Sequence, residues 1–154
     1  MSFDGKIYEF EHAVERVRSA VEAARALDRD FVLTARCENF LCGRPDIADT
    51  LKRLQAYQEA GADVLYAPGI STRDEISAIT GSVDRPVNVL AIPSMTFQQL
   101  ADLGVKRVSV GSALTRAALG GFIDAATQML ENGDFKFISE SPGFSEISDI
   151  FADK

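Results

Sequence analysis

The stretch RLQAYQEAGADVLYAPG, residues 53–69, decides the fold because it contains a complete helix-to-strand transition. Leu54 and Tyr57 lie at helical spacing with Leu51 just before them, and Gly61 is predicted to end that helix. The segment VLYAPG that follows has the composition and length of a short strand. A helix followed directly by a strand is the repeating unit of a parallel α/β sheet.

The same order of helix and strand recurs along most of the chain. Gly104 stands in the place equivalent to Gly61, between a helix and a strand. We therefore predict four such units of a parallel α/β fold in residues 1–133, with a last helix ending at Gly133, and an arm with a short helical end in residues 134–154. The predicted pairs of helix and strand are 8–27 with 31–36, 46–63 with 64–69, 71–86 with 87–93, and 96–106 with 107–112.

The composition limits the class of protein. With 154 residues, of which 46% are hydrophobic and 25% charged, the chain has the make-up of a globular domain rather than of a disordered tail. Its formal net charge of −7 gives no electrostatic basis for binding nucleic acid or an anionic membrane. No apolar run reaches about 20 residues and the start lacks a signal-peptide pattern, so we predict a cytoplasmic protein. Cys37 and Cys42 are too few and too close for a secreted disulfide framework, and we predict reduced thiols.

Polar residues follow the predicted strand FVLTAR in close succession. Arg36 ends that strand, and Glu38 and Asn39 come directly after it. In parallel α/β folds the ligand-binding groups lie at the carboxyl ends of the strands. Because side chains alternate along a strand, Arg36 and Glu38 should point to the same side and share one pocket. A salt bridge with only a structural role is an equally reasonable interpretation.

Several other positions allow both a functional and a structural interpretation. Gly111 and Ser112 lie before a helix N-terminus, where backbone N–H groups can bind phosphate, although Gly-Ser-Ala is also an ordinary tight turn. Cys37 is next to Arg36, which favours a reactive thiolate, but an inert buried thiol is the more common outcome. His12 is predicted to be solvated and to bind no metal. The acidic helix positions are predicted to be capping charges and solvated surface; they are Asp46, Asp49, Asp74 and Glu75.

Four segments together resemble the isocitrate lyase/phosphoenolpyruvate mutase superfamily. They are FVLTARCENF (31–40), RLQAYQEAGADVLYAPG (53–69), RPVNVLA (85–91) and LADLGVKRVSVGSALTRAALGGF (100–122). The resemblance covers nearly the whole chain and implies the C-terminal half of a (β/α)8 TIM barrel of the phosphoenolpyruvate/pyruvate-binding type. It also implies an enzyme that uses Mg²⁺ to stabilise an enolate, either cleaving C–C bonds in small 2-oxo or 2-hydroxy carboxylates or moving a phosphoryl group.

The resemblance assigns roles to individual residues. Arg36 matches the arginine that holds the substrate carboxylate or phosphonate, and a guanidinium has the rigid bidentate geometry for that task. Glu38 matches an acidic position that we expect to orient Arg36 or a metal-bound water. Asn39 and Asn88 are further candidates for contact with the substrate.

This chain departs from the family pattern in two ways. The family's glutamate or histidine after the next strand, and its asparagine after the third, appear here as Pro68 and Leu90, and a proline cannot act as acid or base. The metal-binding aspartates and the Lys-Lys-Cys-Gly-His-type loop belong to the family's first half and have no match here. We therefore expect half a barrel that begins mid-fold, without metal ligands of its own. The alternative function is a catalytically inactive half-barrel remnant or a small-anion-binding module.

A half barrel would have two unpaired strand edges, which favour pairing between copies and predict a homo-oligomer, with aggregation through the same edges as the alternative. We expect its inner face to be apolar and to be buried between copies or under the tail. The residues concerned are Val32, Leu65, Val89 and Val110 or their strand neighbours for the face, and Phe135, Phe137 and Phe144 for the tail.

Overall fold

Helices and strands alternate through the first two thirds of the computed structural model, which describes residues 5–152. The strands pair in the order β1-β2-β3-β4 and all three pairs are parallel, so the predicted parallel α/β pattern is confirmed. No helix within the described range is long and apolar enough to cross a membrane. In chain order the elements are α1 (Phe10–Arg25), β1 (Thr34–Arg36), α2 (Ile47–Glu59), β2 (Val64–Tyr66), α3 (Arg73–Thr80), β3 (Val87–Leu90), α4 (Phe97–Asp102), β4 (Arg107–Ser109), α5 (Ala113–Thr127) with a π-helical turn (Gln128–Asn132), α6 (Phe137–Glu140) and α7 (Phe144–Phe151).

The chain divides into two compact units between Val110 and Gly111. The first unit contains α1 to α4 and all four strands of the sheet. The second unit contains α5, the π-helical turn, α6 and α7. The predicted boundary after Gly133 stays a prediction. The helix predicted to precede it ends in the π-helical turn, and Gly133 follows with a φ of 65°.

One face of the sheet packs against the helices of the first unit. Leu65 and Val89 are fully buried in a cluster with Leu54, Ile76 and Ile79. We left open whether Leu65 and Val89 or their strand neighbours form the inner face, and the alternation of the strands turns Leu65 and Val89 toward the helices. Their strand neighbours form the opposite face instead.

That opposite face is largely polar rather than apolar. The strand register places Arg36 beside Tyr66, Tyr66 beside Asn88, and Asn88 beside Arg107, so these residues form one row across the sheet. Arg36 and Arg107 at the ends of the row are exposed, whereas Tyr66 and Asn88 between them are buried. The predicted pairing between copies consequently depends on the strand edges and not on an apolar inner face.

Strand β1 is shorter than predicted. The expected strand covered residues 31–36, whereas β1 begins at Thr34. The carboxylate of Asp63 accepts a hydrogen bond from the Leu33 backbone N–H at 2.8 Å, while the Leu33 carbonyl accepts one from the Val64 N–H at 3.1 Å. A side chain thus satisfies the backbone amide at the point where the ladder would otherwise continue.

The glycines after α2 and α4 and the start of α3 follow the prediction, whereas α3 ends at Thr80 and does not continue to residue 86. Gly61 has a φ of 99°, and a Cβ atom added there would lie 3.0 Å from Cγ1 of Val21, so both backbone conformation and close approach favour glycine. Gly104, with a φ of 84°, has the equivalent place before β4. Thr72 and Glu75 form a complete capping box at the start of α3.

Removing the Asp63 carboxylate should lower stability in a pH-dependent way. Arg25 Nη2 lies 2.5 Å from Asp63 Oδ1, and the hydrogen bonds from Arg25 and Leu33 hold the pKa of Asp63 below its ordinary value. Because the folded pKa is depressed, this stabilisation is fully present above the unfolded value of about 4 and is lost as the pH falls through the lower folded value. We expect Asp63→Asn to reduce the free energy of unfolding by about 1 kcal/mol at pH 7.

Urea unfolding at pH 7 and pH 3 measures this difference. The exposed Asp28 is the matched control, and Asp28→Asn should change little at either pH. A deficit in Asp63→Asn that stays constant between the two pH values would contradict the assignment.

Candidate anion-binding site

Arg36 and Glu38 form an ion pair at the carboxyl end of β1. Arg36 Nε donates to Glu38 Oε1 at 2.6 Å, and Arg36 Nη2 donates to Oε2 at 3.3 Å. The side chain of Glu38 is 13% exposed and that of Arg36 is 50% exposed. The hydrogen bond to Glu38 raises the pKa of Arg36 above its ordinary value. The pair is therefore a salt bridge, as the structural interpretation predicts, and its guanidinium is also accessible, as the ligand-binding interpretation requires.

The Arg36 guanidinium keeps donors for a second partner. Of its five N–H groups, Glu38 takes one from Nε and one from Nη2. The remaining edge, between Nη1 and Nη2, has the geometry for a second bidentate contact with a carboxylate or phosphonate. The ring of Tyr66 lies 5.1 Å from the guanidinium carbon and supports it from one side.

A cavity of about 250 Å³ adjoins this pair, between α1, the edge strand β1 and α2. Its charged lining consists of Arg16, Arg36, Arg53 and Glu38. Two of these guanidinium groups are paired with carboxylates, Arg36 with Glu38 and Arg53 with Asp49, and Arg16 adds a further positive charge to the lining. The volume of the cavity suits a small molecule rather than a large cofactor.

A buried polar network includes two further residues of the cavity lining, Asn39 and Arg53. Asn39 is fully buried, and its Nδ2 donates to Asp49 Oδ2 at 2.7 Å. Arg53 Nε donates to the same oxygen at 2.8 Å. Burial opposes ionisation of Asp49, but the hydrogen bonds from Arg53 and Asn39 lower its pKa.

The network includes residues that the sequence interpretation did not recognise. We expected Asp49 to be a capping or solvated charge, whereas its carboxylate binds Asn39 and Arg53. The spacing of Asp49 and Arg53, four residues apart on a helix, was the available signal. Burial raises the pKa of the Cys37 thiol, which favours the protonated, inert form over a reactive thiolate.

Asn88 lies on the same sheet face as Arg36 but its amide is already engaged. It is 1% exposed, its Nδ2 donates to Ser109 Oγ at 3.1 Å, and its Oδ1 accepts from Arg107 Nη1 at 3.3 Å. Leu90 is on the same face and partly exposed, while Pro68 is buried just after β2. Contact of Asn39 or Asn88 with a substrate stays a prediction.

Gly111 and Ser112 open the second unit. Gly111 has a φ of 54°, and Ser112 precedes α5 without a side-chain cap. Their binding of a phosphate stays a prediction. His12 is exposed and contacts the Tyr8 ring edge-on at 5.0 Å, in keeping with the solvated side chain that we expected.

Comparison with known proteins identifies the family. Residues 2–130 match the phosphoenolpyruvate phosphomutase family. The chain belongs to this family. A crystal structure of a candidate lyase/mutase from Burkholderia cenocepacia J2315 has a TM-score of 0.88 and 53% identity, covering 97% of this chain and 55% of that one.

Phosphonopyruvate hydrolases are also similar to this phosphomutase-family chain. The enzyme of Variovorax sp. is 31% identical in an alignment of 144 positions that covers 88% of this chain and 49% of that protein. A crystal structure of phosphonopyruvate hydrolase with oxalate and Mg²⁺ has a TM-score of 0.78 and 28% identity, covering 97% of this chain and 54% of that one. The predicted superfamily and the predicted partial α/β barrel are therefore confirmed, and the chain spans about half the length of these relatives.

The described residues by themselves do not fit a Mg²⁺ site. Between residues 5 and 152 no three His, Cys, Asp or Glu side chains come together as a metal-binding group. Glu38, the carboxylate of the cavity lining, directs both oxygens to Arg36. Magnesium prefers octahedral coordination by several oxygens.

We expect this chain alone to bind Mg²⁺ no more tightly than about 1 mM, because paired carboxylates do not converge in its described part. Calorimetric titration with MgCl₂ measures the affinity, and Glu38→Gln, which removes the cavity carboxylate, should leave it unchanged. A dissociation constant in the micromolar range would contradict this expectation.

Proposed function

We propose that this chain acts as half of a phosphomutase-family barrel in the cytoplasm and binds a small 2-oxo or 2-hydroxy carboxylate, or a phosphonate, through Arg36. The observation that carries the proposal is the accessible guanidinium at the end of a parallel strand, fixed on one edge by Glu38 and open on the other. The further positive charge of Arg16 in the lining of the adjoining cavity supports an anionic ligand. The oxalate bound by phosphonopyruvate hydrolase is a ligand of this chemical class.

The chemistry proposed for the complete barrel passes through an enolate, by C–C cleavage or by transfer of a phosphoryl group. Arg36 would hold the substrate carboxylate and neutralise negative charge that develops next to it. Glu38 would fix the guanidinium and keep it charged. Because the described residues do not fit Mg²⁺, we assign no step to the ion.

A second function is binding without turnover. It is favoured by the buried proline at position 68, where the resemblance implies an acid or base, and by the lack of a metal-binding group within residues 5–152. The same Arg36 site would then serve a small-anion-binding module.

One pair of measurements tests the proposal. Calorimetry with oxalate reports binding, and formation of pyruvate from phosphonopyruvate or oxaloacetate with MgCl₂ present, followed with lactate dehydrogenase, reports turnover. Binding with turnover supports the enzyme, and binding alone supports the module. A chain that is folded and binds neither oxalate nor the two substrates would contradict both functions.

We also propose that the chain forms homo-oligomers through its strand edges. The edge strands are β1 and β4, and two copies related by a two-fold axis could pair β1 of each with β4 of the other. Leu33 and Cys37 turn their backbone groups toward β2, so the N–H of Thr34 points to the free edge.

Thr34→Pro should therefore convert a dimer into a monomer without disturbing the β1–β2 ladder. Light scattering measures the mass, which we expect to be about twice that of one chain for the native protein, and Thr34→Val is the control that retains the N–H. A monomeric native chain with cooperative unfolding would contradict self-association.

A further inference from the structure

Along the segment from Arg36 to Asn39, exposed or partly exposed side chains alternate with fully buried ones. Arg36 and Glu38 point to the cavity side and bind each other. Cys37 and Asn39 are both fully buried, and Asn39 belongs to the wall of the same cavity. Glu38 is therefore held between two residues whose side chains are anchored in the interior.

The side-chain amide of Asn39 is hydrogen-bonded through both its nitrogen and its oxygen. Its Nδ2 donates to Asp49 Oδ2 at 2.7 Å, and its Oδ1 accepts from the Cys37 thiol at 3.4 Å. Asp49 is itself fixed by Arg53, whose side chain is 7% exposed. A buried amide with both ends bonded has one orientation, since turning it would leave a donor and an acceptor unsatisfied.

The network also reaches the cavity wall before α1. Arg53 Nη1 donates to the backbone carbonyl of Tyr8 at 3.0 Å, and Tyr8 lines the cavity before α1. The chain of contacts from Tyr8 through Arg53 and Asp49 to Asn39 thus connects cavity-lining residues of three segments, those before α1, in α2 and after β1.

We infer that Asn39 and Asp49 are positioning residues, which hold Glu38 and through it set the orientation of the Arg36 guanidinium. Only the effect on ligand binding rests on the proposed function, because the orientation of Arg36 can be measured without a ligand. Asn39 acts through Glu38 and needs no contact with the substrate.

Hydrogen exchange at Arg36 Nε, measured by ¹⁵N NMR, tests the inference directly, because this N–H is the donor to Glu38. We expect Asn39→Ala to accelerate exchange about tenfold, which corresponds to the loss of one charge-assisted hydrogen bond for part of the time. Asp49→Ala removes the oxygen that accepts from the Asn39 amide, and the Arg36 Nε–H should exchange faster in this variant to a similar extent. Asp74 is exposed and supplies the control: in Asp74→Ala the Arg36 Nε–H should exchange at the wild-type rate.

Oxalate affinity, measured on the same variants, gives the second readout. Asn39→Ala should weaken binding by about tenfold while Asp74→Ala leaves it unchanged. Far-UV circular dichroism checks that each variant is folded, and Asn39→Ser replaces Asn39→Ala if the alanine variant is not. The serine hydroxyl is too short to span the distance to Asp49.

The outcomes separate this inference from the proposed function. If the Arg36 Nε–H exchanges faster in Asn39→Ala and the wild-type chain does not bind oxalate, the positioning role is supported and the proposed anion binding is refuted. If Asn39→Ala has the wild-type exchange rate at Arg36 Nε and the wild-type oxalate affinity, the positioning role is overturned, while the proposed anion binding is still supported. Equal acceleration in all variants, the Asp74 control included, would also overturn it, since it would show general loosening of the fold.

Discussion

Arg36→Ala is expected to abolish the binding of oxalate. The substitution removes the guanidinium that would hold the ligand and leaves the Glu38 carboxylate without its partner next to the ligand. Loss of a bidentate charge-assisted contact costs about 3 kcal/mol, or roughly a hundredfold in affinity, and repulsion from Glu38 adds to that loss. Calorimetry at constant pH and ionic strength measures the effect.

Arg36→Lys separates charge from geometry. Lysine keeps the positive charge but cannot bind Glu38 and oxalate through two planar edges at once, and we expect affinity between those of the wild type and Arg36→Ala. Arg73→Ala is the control, because Arg73 is exposed at the start of α3. Unchanged oxalate affinity in Arg36→Ala would refute the assignment of the site.

Leu65→Ala is expected to lower the free energy of unfolding by about 3 kcal/mol. Leu65 lies in the inner strand β2, is fully buried, and belongs to the cluster with Ile76 and Ile79. Truncation removes buried apolar surface and leaves a cavity that rigid neighbours cannot fill. Urea unfolding followed by circular dichroism measures the change.

Leu90→Ala provides the contrast for the other face of the sheet. Leu90 is 40% exposed and lies on the face of Arg36 and Asn88, so its truncation should cost less than about 1 kcal/mol. If Leu65→Ala proved as mild as Leu90→Ala, the helix-facing side of the sheet would have been assigned to the wrong residues.

The parts of the fold that depend on local chemistry could be predicted from the sequence. Glycines at positions 61 and 104 take positive φ values, and the Thr72 box caps its helix, because neighbouring residues decide both features. The pairing of Arg36 with Glu38 was also predictable, since side chains two positions apart along a strand share one side.

Features that depend on packing between distant segments could not be predicted in the same way. All three residues of β2 are buried, so its sequence has no alternation of apolar and polar residues that would show which face meets the helices. The buried position of Asn39 could not be predicted either, because the sequence shows only a polar residue after a strand. Its role depends on Asp49, ten positions further on, being brought beneath it by α2.

A crystal structure of this chain with oxalate would test the central claim most directly. We expect one oxalate carboxylate to lie about 2.8 Å from Nη1 and Nη2 of Arg36, while Glu38 continues to accept from Nε. Oxalate bound away from the Arg36 guanidinium, or a saturated crystal in which that edge contacts only water, would contradict the claim.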